Sequence, residues 1–504
     1  MPQHESTPPT PDLLRYGATL PISRIDPLCG LWNEASSLVF SRPFAVNEHG
    51  VLEPDVAVLL ETAPDGLHWA FGVREGVTWH DGEPVTVEDL ALSLRLVSDP
   101  RLRGEVKQHI AEVTDVRVDG PHVVVTLSRR MPALLHTLSK TCIVPSHRFS
   151  SDELSQGALD RDPIGSGPYR VVERSDQACR FVRHDRFHHG SAALKRIEMV
   201  QIAEDRDRAA ALAAGEIDLA QIKAQHVDTL TEVPDVVVHP IATRVWRALT
   251  FSLTHPLLRD PSIRRALSTL IDREEVVSTA LGGYGLPQYY PTPPSSWASP
   301  PAPPATGPEL ARQQLLEAGC ELNEAGIWER DGVPLELTFA YLATETFRAV
   351  ASEVIAAQFA RAGVPVSLTP ITWRQYQAMD ATGLRDSGYD GIVVGWSGGV
   401  DPHENLAIRY STNGAYNRDG YSNPELDRLL DEAVNAPDRP TAVELYRRIS
   451  RITVEDSIMA PLANPQYLFA ARRDLSGFED FEVDSFYEFP QYAHRIARSG
   501  AHTA

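Results

Sequence analysis

The chain has 504 residues, of which 42% are hydrophobic and 23% charged, as is ordinary for a soluble globular protein. A chain of this length exceeds what one hydrophobic core supports, so two or three lobes are expected. The formal net charge of −21 offers no basic excess to neutralise phosphates and argues against a nucleic-acid partner. No apolar run reaches the length of a membrane span.

Neither the N-terminal segment nor the cysteines determine the cellular compartment of the protein. Residues 1–17 are polar and proline-rich, without the basic start and apolar core of a secretory signal. Either a signal has been removed or the protein stays inside the cell. The four cysteines are scattered and form no CxxC pair, so neither the redox compartment nor a disulfide pairing follows from them.

The first third of the chain predicts a small lobe of mixed strands and helices. We expect a first strand at residues 18–25 and a hairpin at residues 116–127, turned at Asp119-Gly120-Pro121. The sequence TVED at 86–89 has the pattern of a capping box and predicts the start of a helix. These elements are short, which favours a separate α+β lobe.

The second half predicts an α/β lobe. Residues 260–281 have the spacing of a helix, and the proline-rich segment 287–308 is expected to wrap the lobe because it is too aromatic for a loose tether. A strand near residue 337, a helix at 347–362 and a strand at 364–371 form a βαβ unit, whose two strands are parallel.

Residues 389–402, YDGIVVGWSGGVDP, contain the predicted binding element. The apolar run from Ile392 to Val394 indicates a buried strand, and Trp396 follows it in a glycine-rich loop. Strand ends of open α/β sheets are where ligands usually bind. Trp396 therefore either contacts a ligand or caps an edge of the core. Asp401 is expected to accept backbone N–H groups in the loop.

Seven stretches in series resemble one family, the solute-binding proteins of ABC transporters in the peptide and nickel class, family 5. They cover nearly the whole chain in the family's order. They are residues 52–94 (LEPDVAVLLETAPDGLHWAFGVREGVTWHDGEPVTVEDLALSL), 163–169 (PIGSGPY), 215–219 (GEIDL), 255–277 (HPLLRDPSIRRALSTLIDREEVV), 315–319 (LLEAG), YDGIVVGW with the following DP, and 421–433 (YSNPELDRLLDEA).

The resemblance implies an α/β, two-lobe periplasmic-binding-protein fold of type II, in the large class with an extra inserted α+β lobe and a hinge between lobes. It implies a first lobe from 12–42, 165–255 and 472–504, an inserted lobe at 43–164 and a second lobe at 256–471. The chain would cross between the two main lobes near 253–256 and return near 470–473.

The resemblance also implies the function. The protein would be the solute-binding component of an ABC importer, capturing a small organic solute, peptide-like or metal-chelate-like, in the interlobe cleft by hinge closure. Its partner would be a membrane permease, its location periplasmic or extracytoplasmic, and its state monomeric. No cofactor, catalytic residue or nucleic-acid partner is predicted. The alternative is a cytosolic protein on the same fold, used as an enzyme or a ligand sensor.

The predicted ligand-binding residues are Trp396, Arg244, Trp246, Trp32, Gly398 and Gly399. Arg244 and Trp246 alternate on one strand face before the expected crossing, so one of them would face the cleft; otherwise both are solvated edge residues. A guanidinium there would suit a carboxylate or a phosphate.

Two departures from the family pattern leave the ligand open. Peptide-binding members carry an acidic residue three positions after the tryptophan, and here Gly399 stands there. The spacing from Trp396 to His403 is more like the nickel-binding branch, but the arginine-rich segment of that branch is absent around 138–144.

The sequence HDRFHHG at 184–190 invites comparison with a zinc site. Its spacing would place two imidazoles together, but no third ligand is visible nearby, and the family has bulky aromatics at the positions of His188 and His189. No metal site is therefore predicted.

Overall fold

The computed structural model describes residues 12–29, 32–47, 51–97, 99, 101–102, 112–396, 398–399, 401–478 and 481–499. The chain forms two compact units, one comprising the described residues of Met1–Ala242 and Tyr467–Ala504, the other those of Thr243–Gln466. The first passage between units thus precedes the predicted 253–256, and the return precedes 470–473. The finer division into three lobes remains a prediction.

Up to residue 243 the chain forms twelve named strands and seven named α-helices among the described residues. The strands are β1 (Leu13–Ala18), β2 (Phe44–Val46), β3 (Leu52–Pro54), β4 (Ala57–Thr62), β5 (His68–Val73), β6 (Val113–Asp119), β7 (His122–Leu127), β8 (Tyr169–Arg174), β9 (Ala178–Arg183), β10 (Arg196–Gln201), β11 (Leu219–Ile222) and β12 (Val236–Thr243). The helices are α1 (Glu34–Val39), α2 (Val87–Val97), α3 (Leu134–Leu138), α4 (Ser151–Ser155), α5 (Ala158–Arg161), α6 (Asp205–Ala213) and α7 (Val227–Thr231).

The rest of the chain is divided between the second unit and a return to the first. The strands are β13 (Trp246–Phe251), β14 (Gly285–Pro287), β15 (Glu321–Leu322), β16 (Trp328–Arg330), β17 (Val333–Pro334), β18 (Leu337–Leu342), β19 (Val366–Ile371), β20 (Gly391–Trp396), β21 (Met459–Pro465), β22 (Tyr467–Arg472), β23 (Leu475–Ser476), β24 (Glu482–Val483) and β25 (Ala497–Arg498). The helices are α8 (Pro261–Leu270), α9 (Arg273–Leu281), α10 (Pro308–Glu317), α11 (Thr346–Arg361), α12 (Trp373–Thr382), α13 (Pro402–Tyr410), α14 (Pro424–Val434) and α15 (Arg439–Asp456).

An eight-stranded sheet in the order β24-β12-β22-β11-β1-β10-β9-β8 is the framework of the first unit. Its strand β1 pairs in parallel with both β10 and β11. The predicted bounds of the first strand, 18–25, were wrong: β1 ends at Ala18, and beyond it backbone N–H groups bond to carboxylates rather than to another strand. Glu34 accepts the N–H of Thr19 at 2.7 Å, and Asp160 accepts that of Ile25 at 2.7 Å.

The region between α1 and β8 has its own antiparallel sheet, in the order β4-β5-β7-β6, and its own hydrophobic core. The predicted hairpin is confirmed as β6 and β7, with Gly120 at φ +59° in the turn. The predicted helix start is also confirmed: Thr86 Oγ1 accepts the N–H of Asp89 at 3.3 Å, and Asp89 accepts the N–H of Thr86 at 2.8 Å. Both signals are local, which is why the sequence carries them.

A six-stranded mixed sheet in the order β14-β21-β13-β20-β18-β19 supports the second unit. The βαβ unit is confirmed, since β18 and β19 pair in parallel and α11 connects them. The single helix predicted at 260–281 was wrong. It is two helices, α8 and α9, because Ile271 leaves the helical conformation and the side chain of Asp272 caps α9 by accepting the N–H of Glu275 at 3.0 Å.

The proline-rich segment packs on this unit as expected. Trp297 lies edge-on to Tyr446, and Arg439 lies over its indole at 3.6 Å. Within the described part of the chain, no helix combines the length and the apolar character needed to span a bilayer.

Candidate functional site

Trp396 is the last residue of β20 and has a tryptophan directly beside it on the neighbouring strand. The antiparallel register of β13 and β20 pairs Trp246 with Trp396. Their ring centroids are 4.8 Å apart, with the planes tilted by 40°. Trp396 is half-buried, whereas Trp246 is fully buried. Trp246 therefore supports the ring of Trp396 from the core.

A buried arginine on α13 completes this aromatic group. The guanidinium carbon of Arg409 lies 4.9 Å from the ring centroid of Trp396, 5.5 Å from that of Trp246 and 5.7 Å from that of Tyr416. One of its N–H groups donates to the carbonyl of Asn405 at 2.9 Å. Burial lowers the pKa of Arg409 to about 10, so the side chain still carries its charge at neutral pH. The indole faces offset part of the desolvation of this cation.

Trp396 and Arg409 line a cavity of about 710 Å³, a volume that includes the space at its open mouth. All of its lining residues belong to the second unit. Tyr376, Met379 and Leu384 add apolar surface, and Arg418 adds a second positive charge. A largely apolar concave wall with a few polar groups is the usual form of a small-molecule site.

Sequence reasoning did not find Arg409. The residue follows Trp396 by 13 positions in the sequence, and no motif links the two residues. Arginines on helices are mostly solvated, so its burial against two indoles was visible only once the register of β13 and β20 and the position of α13 were known.

The two predicted glycines after Trp396 are packed against protein atoms. A Cβ on Gly398 would overlap the carbonyl oxygen of Arg244, and one on Gly399 would overlap the carboxylate of Glu404. At Gly398 the overlapping atom belongs to the backbone, and this close approach is a sufficient reason for glycine. Arg244 is itself buried, as is Trp246, so the alternative that both are solvated edge residues was wrong. A direct ligand contact by Arg244, Gly398 or Gly399 remains a prediction.

Trp32, the remaining predicted site residue, belongs to the other unit. Its indole N–H donates to the carbonyl of Lys140 at 3.1 Å, and Arg42 lies over its ring at 4.2 Å. The side chain is buried. Within the first unit, Trp32 therefore acts as a packing residue, and its role as a ligand contact remains a prediction.

Asp401 caps α13, as the sequence indicated. Its carboxylate accepts the N–H of His403 at 2.8 Å. Burial raises the pKa of Asp401 to about 6, and the nearby Glu404 acts in the same direction. The loop after Trp396 thus contains a carboxylate that titrates near neutral pH.

Asp401→Asn is expected to stabilise the protein at alkaline pH. Because the folded pKa lies above the unfolded value near 4, ionised Asp401 costs stability; this cost is absent below about pH 4 and fully present above about pH 6. Asparagine keeps the capping oxygen without the charge. Urea unfolding should give D401N an advantage of about 1–3 kcal/mol at pH 8 that disappears toward pH 4. A difference that is the same at both pH values would contradict this account.

Comparison with known proteins places this architecture in a family. Residues 51–418 match the family described as bacterial extracellular solute-binding proteins, family 5 (middle region), and the chain belongs to this family. It is 26% identical over 454 residues to protein XP55 of Streptomyces lividans, covering 88% of this chain and 82% of that protein. It is 24% identical over 427 residues to the oligopeptide-binding protein AppA of Bacillus subtilis, covering 82% and 78%.

Solved structures agree on the fold. The crystal structure of NikZ from Campylobacter jejuni in complex with Ni(L-His) superposes with a TM-score of 0.80 at 23% identity, covering 97% of this chain and 100% of that one. The predicted α/β, two-lobe periplasmic-binding-protein fold is confirmed. The predicted function, the solute-binding component of an ABC importer, is confirmed as well, and the cytoplasmic alternative gains no support from these proteins.

Proposed function

We propose that this chain captures a peptide-like or metal-chelate-like organic solute against Trp396 and, as a monomer, delivers it to the membrane permease of an ABC transporter. The observation that supports the binding site is the half-buried indole of Trp396, which packs against Trp246 and Arg409 at the wall of the 710 Å³ cavity. A ring fixed on its rear face by a second ring loses little freedom when a ligand covers its front face.

The chemistry of the wall favours a solute that has both an apolar or flat group and a negative charge. Aromatic stacking and burial on Trp396 would supply the apolar part of the affinity. Arg409 and Arg418 would attract a carboxylate, since these two guanidinium groups outnumber the one carboxylate, that of Asp419, among the described lining residues. Short peptides and amino-acid chelates of metal ions both carry carboxylates. The names of two similar proteins point the same way, since one is an oligopeptide-binding protein and the other was crystallised with Ni(L-His).

Trp396→Leu is expected to weaken solute binding by about 10- to 100-fold, because it removes an aromatic contact worth about 1.5–3 kcal/mol in stacking and buried area. The solute is first identified by native mass spectrometry of the freshly purified protein and then titrated calorimetrically into each variant. Trp297→Leu is the matched control: Trp297 is also half-buried in the second unit with an arginine over its ring, but it does not line the cavity.

Equal affinities of W396L and W297L would place the binding site elsewhere. Delivery to a permease is tested with the same pair of variants: cells that depend on this protein for uptake of the identified solute should lose uptake with W396L at low solute concentration and keep it with W297L. Unchanged uptake on complete deletion of the gene would contradict the proposed partnership.

A further inference from the structure

Two adjacent histidines and a distant aspartate converge in the first unit. The Nε2 atoms of His188 and His189 lie 2.5 and 2.9 Å from one oxygen, Oδ1, of Asp55. One ligand atom from each of the three residues lies within 4.8 Å of the others. Asp55 precedes His188 by 133 positions. It is the third candidate ligand, which the sequence HDRFHHG did not reveal.

The surrounding structure fixes this arrangement. The backbone N–H of Arg42 donates to the other carboxylate oxygen of Asp55 at 2.9 Å, which leaves Oδ1 facing the imidazoles. The ring of Phe187 packs on both histidine rings at 4.6 and 5.5 Å, and Gly190, at φ +98°, ends the turn. The side chain of His188 is buried, whereas that of His189 is 35% exposed. These contacts hold the carboxylate and both rings in place.

The two histidines converge on one carboxylate oxygen, which is the arrangement that a shared metal ion requires. The Nε2 atoms of both rings face Oδ1 of Asp55, and the ring centroids lie 4.5 Å apart. A divalent ion bound to the two Nε2 lone pairs and the carboxylate would take the place of the two hydrogen bonds.

The distances require only a small adjustment. Metal–ligand bonds of about 2.0–2.1 Å in a tetrahedral site place neighbouring ligand atoms about 3.3 Å apart. The two contacts would therefore open by about 0.4–0.8 Å. His189 is partly exposed and can supply much of this movement.

An entry path lies next to the cluster. A cavity of about 690 Å³ including its mouth is lined by Asp55, His189 and His494. The ring centroid of His494 lies 6.3 Å from that of His189. Water from this cavity can supply the remaining coordination position.

We propose that Asp55, His188 and His189 bind one divalent transition-metal ion of the zinc type. Two imidazole nitrogens and one carboxylate form a donor set suited to Zn²⁺ and poorly suited to Mg²⁺ or Ca²⁺, which take oxygen ligands. The site belongs to the first unit, whereas the Trp396 cavity belongs to the second. Its three residues are therefore different from those that line the Trp396 cavity.

Titration of metal-free, untagged full-length protein with ZnCl₂ tests the proposal. The wild type is expected to bind one equivalent through this site, and His189→Gln is expected to weaken that binding by about 100-fold or more, because loss of even an outer partner of a metal ligand costs 10- to 100-fold. The matched control is His68→Gln. His68 also faces an aspartate, Asp65, at 3.2 Å, but as a single exposed imidazole, so its replacement should leave the affinity unchanged.

Absence of saturable Zn²⁺ binding in the wild type, or equal binding by H189Q and the wild type, would overturn the proposal. X-ray absorption of the zinc-loaded wild type does not depend on the folding of any variant. It should show scattering from at least two imidazole rings for each bound Zn²⁺, and a spectrum with fewer than two would also overturn the assignment.

Discussion

Replacing Asp218 by alanine is expected to lower the free energy of unfolding by about 3–5 kcal/mol, which is the usual cost of removing one partner of a buried ion pair. The Asp218 side chain is 1% exposed and accepts two bonds from the guanidinium of Arg15, at 2.7 and 3.2 Å, and one from its backbone N–H at 2.8 Å. Arg498, whose side chain is also buried, lies 2.8 Å from Oδ2 of Asp218. Alanine would leave Arg498 with Asp474 as its remaining ion-pair partner among the described residues.

Chemical denaturation of D218A and of Asp162→Ala compares the free energy that is lost when a buried ion pair is broken with the free energy that is lost when a surface ion pair is broken. Asp162 pairs with Arg148 at 2.7 Å, and both side chains are more than a third exposed. Its loss should cost less than about 1 kcal/mol. A similar loss in the free energy of unfolding for both variants would contradict the prediction that the contacts of Asp218 with Arg15 and Arg498 stabilise the fold more than a surface ion pair does.

Gly165→Ala is expected to lower the free energy of unfolding by about 3 kcal/mol, at the upper end of the cost of overpacking. A Cβ at this position would overlap the carbonyl oxygen of Val39. Neither side can move freely, because that oxygen accepts the N–H of Gly167 at 2.9 Å while the carbonyl of Gly165 accepts the N–H of His80 at 2.9 Å. The strain therefore has to be absorbed by the backbone.

Gly72→Ala is the control for this second experiment. Gly72 lies within β5, and a Cβ there would meet only the half-exposed side chain of Leu60, at 3.3 Å. Thermal and urea unfolding should show a change of no more than about 1 kcal/mol for G72A. A G165A protein as stable as G72A would show that the path of this loop is not fixed by contact with Val39.

Elements defined by neighbouring residues were predictable. The capping box at Thr86 and Asp89, the turn at Gly120 and the parallel strands on either side of α11 all depend on hydrogen bonds or periodicities that span only a few residues. The order of seven short motifs was enough to indicate the family, and the position of Trp396 at a strand end followed from the apolar run before it.

The two failures have a common cause in side-chain carboxylates that accept backbone hydrogen bonds. Residues 18–25 have a strand-like composition, but the carboxylates of Glu34 and Asp160 accept backbone donors there, and nothing in the local sequence announces them. The helix predicted at 260–281 was divided because Asp272 offered a cap within an otherwise helical pattern. In both places a polar side chain competed successfully with regular secondary structure for backbone hydrogen bonds.

The sequence by itself thus determined the family, the α/β class and the tryptophan at the end of β20, since these depend on motif order and local periodicity. The tertiary structure alone decided what surrounds each functional group. It set Trp246 and Arg409 against Trp396 and brought Asp55 to His188 and His189. The reason is physical: a hydrophobic period or a cap is specified by residues a few positions apart, whereas a buried cation or a shared carboxylate depends on where distant strands come together.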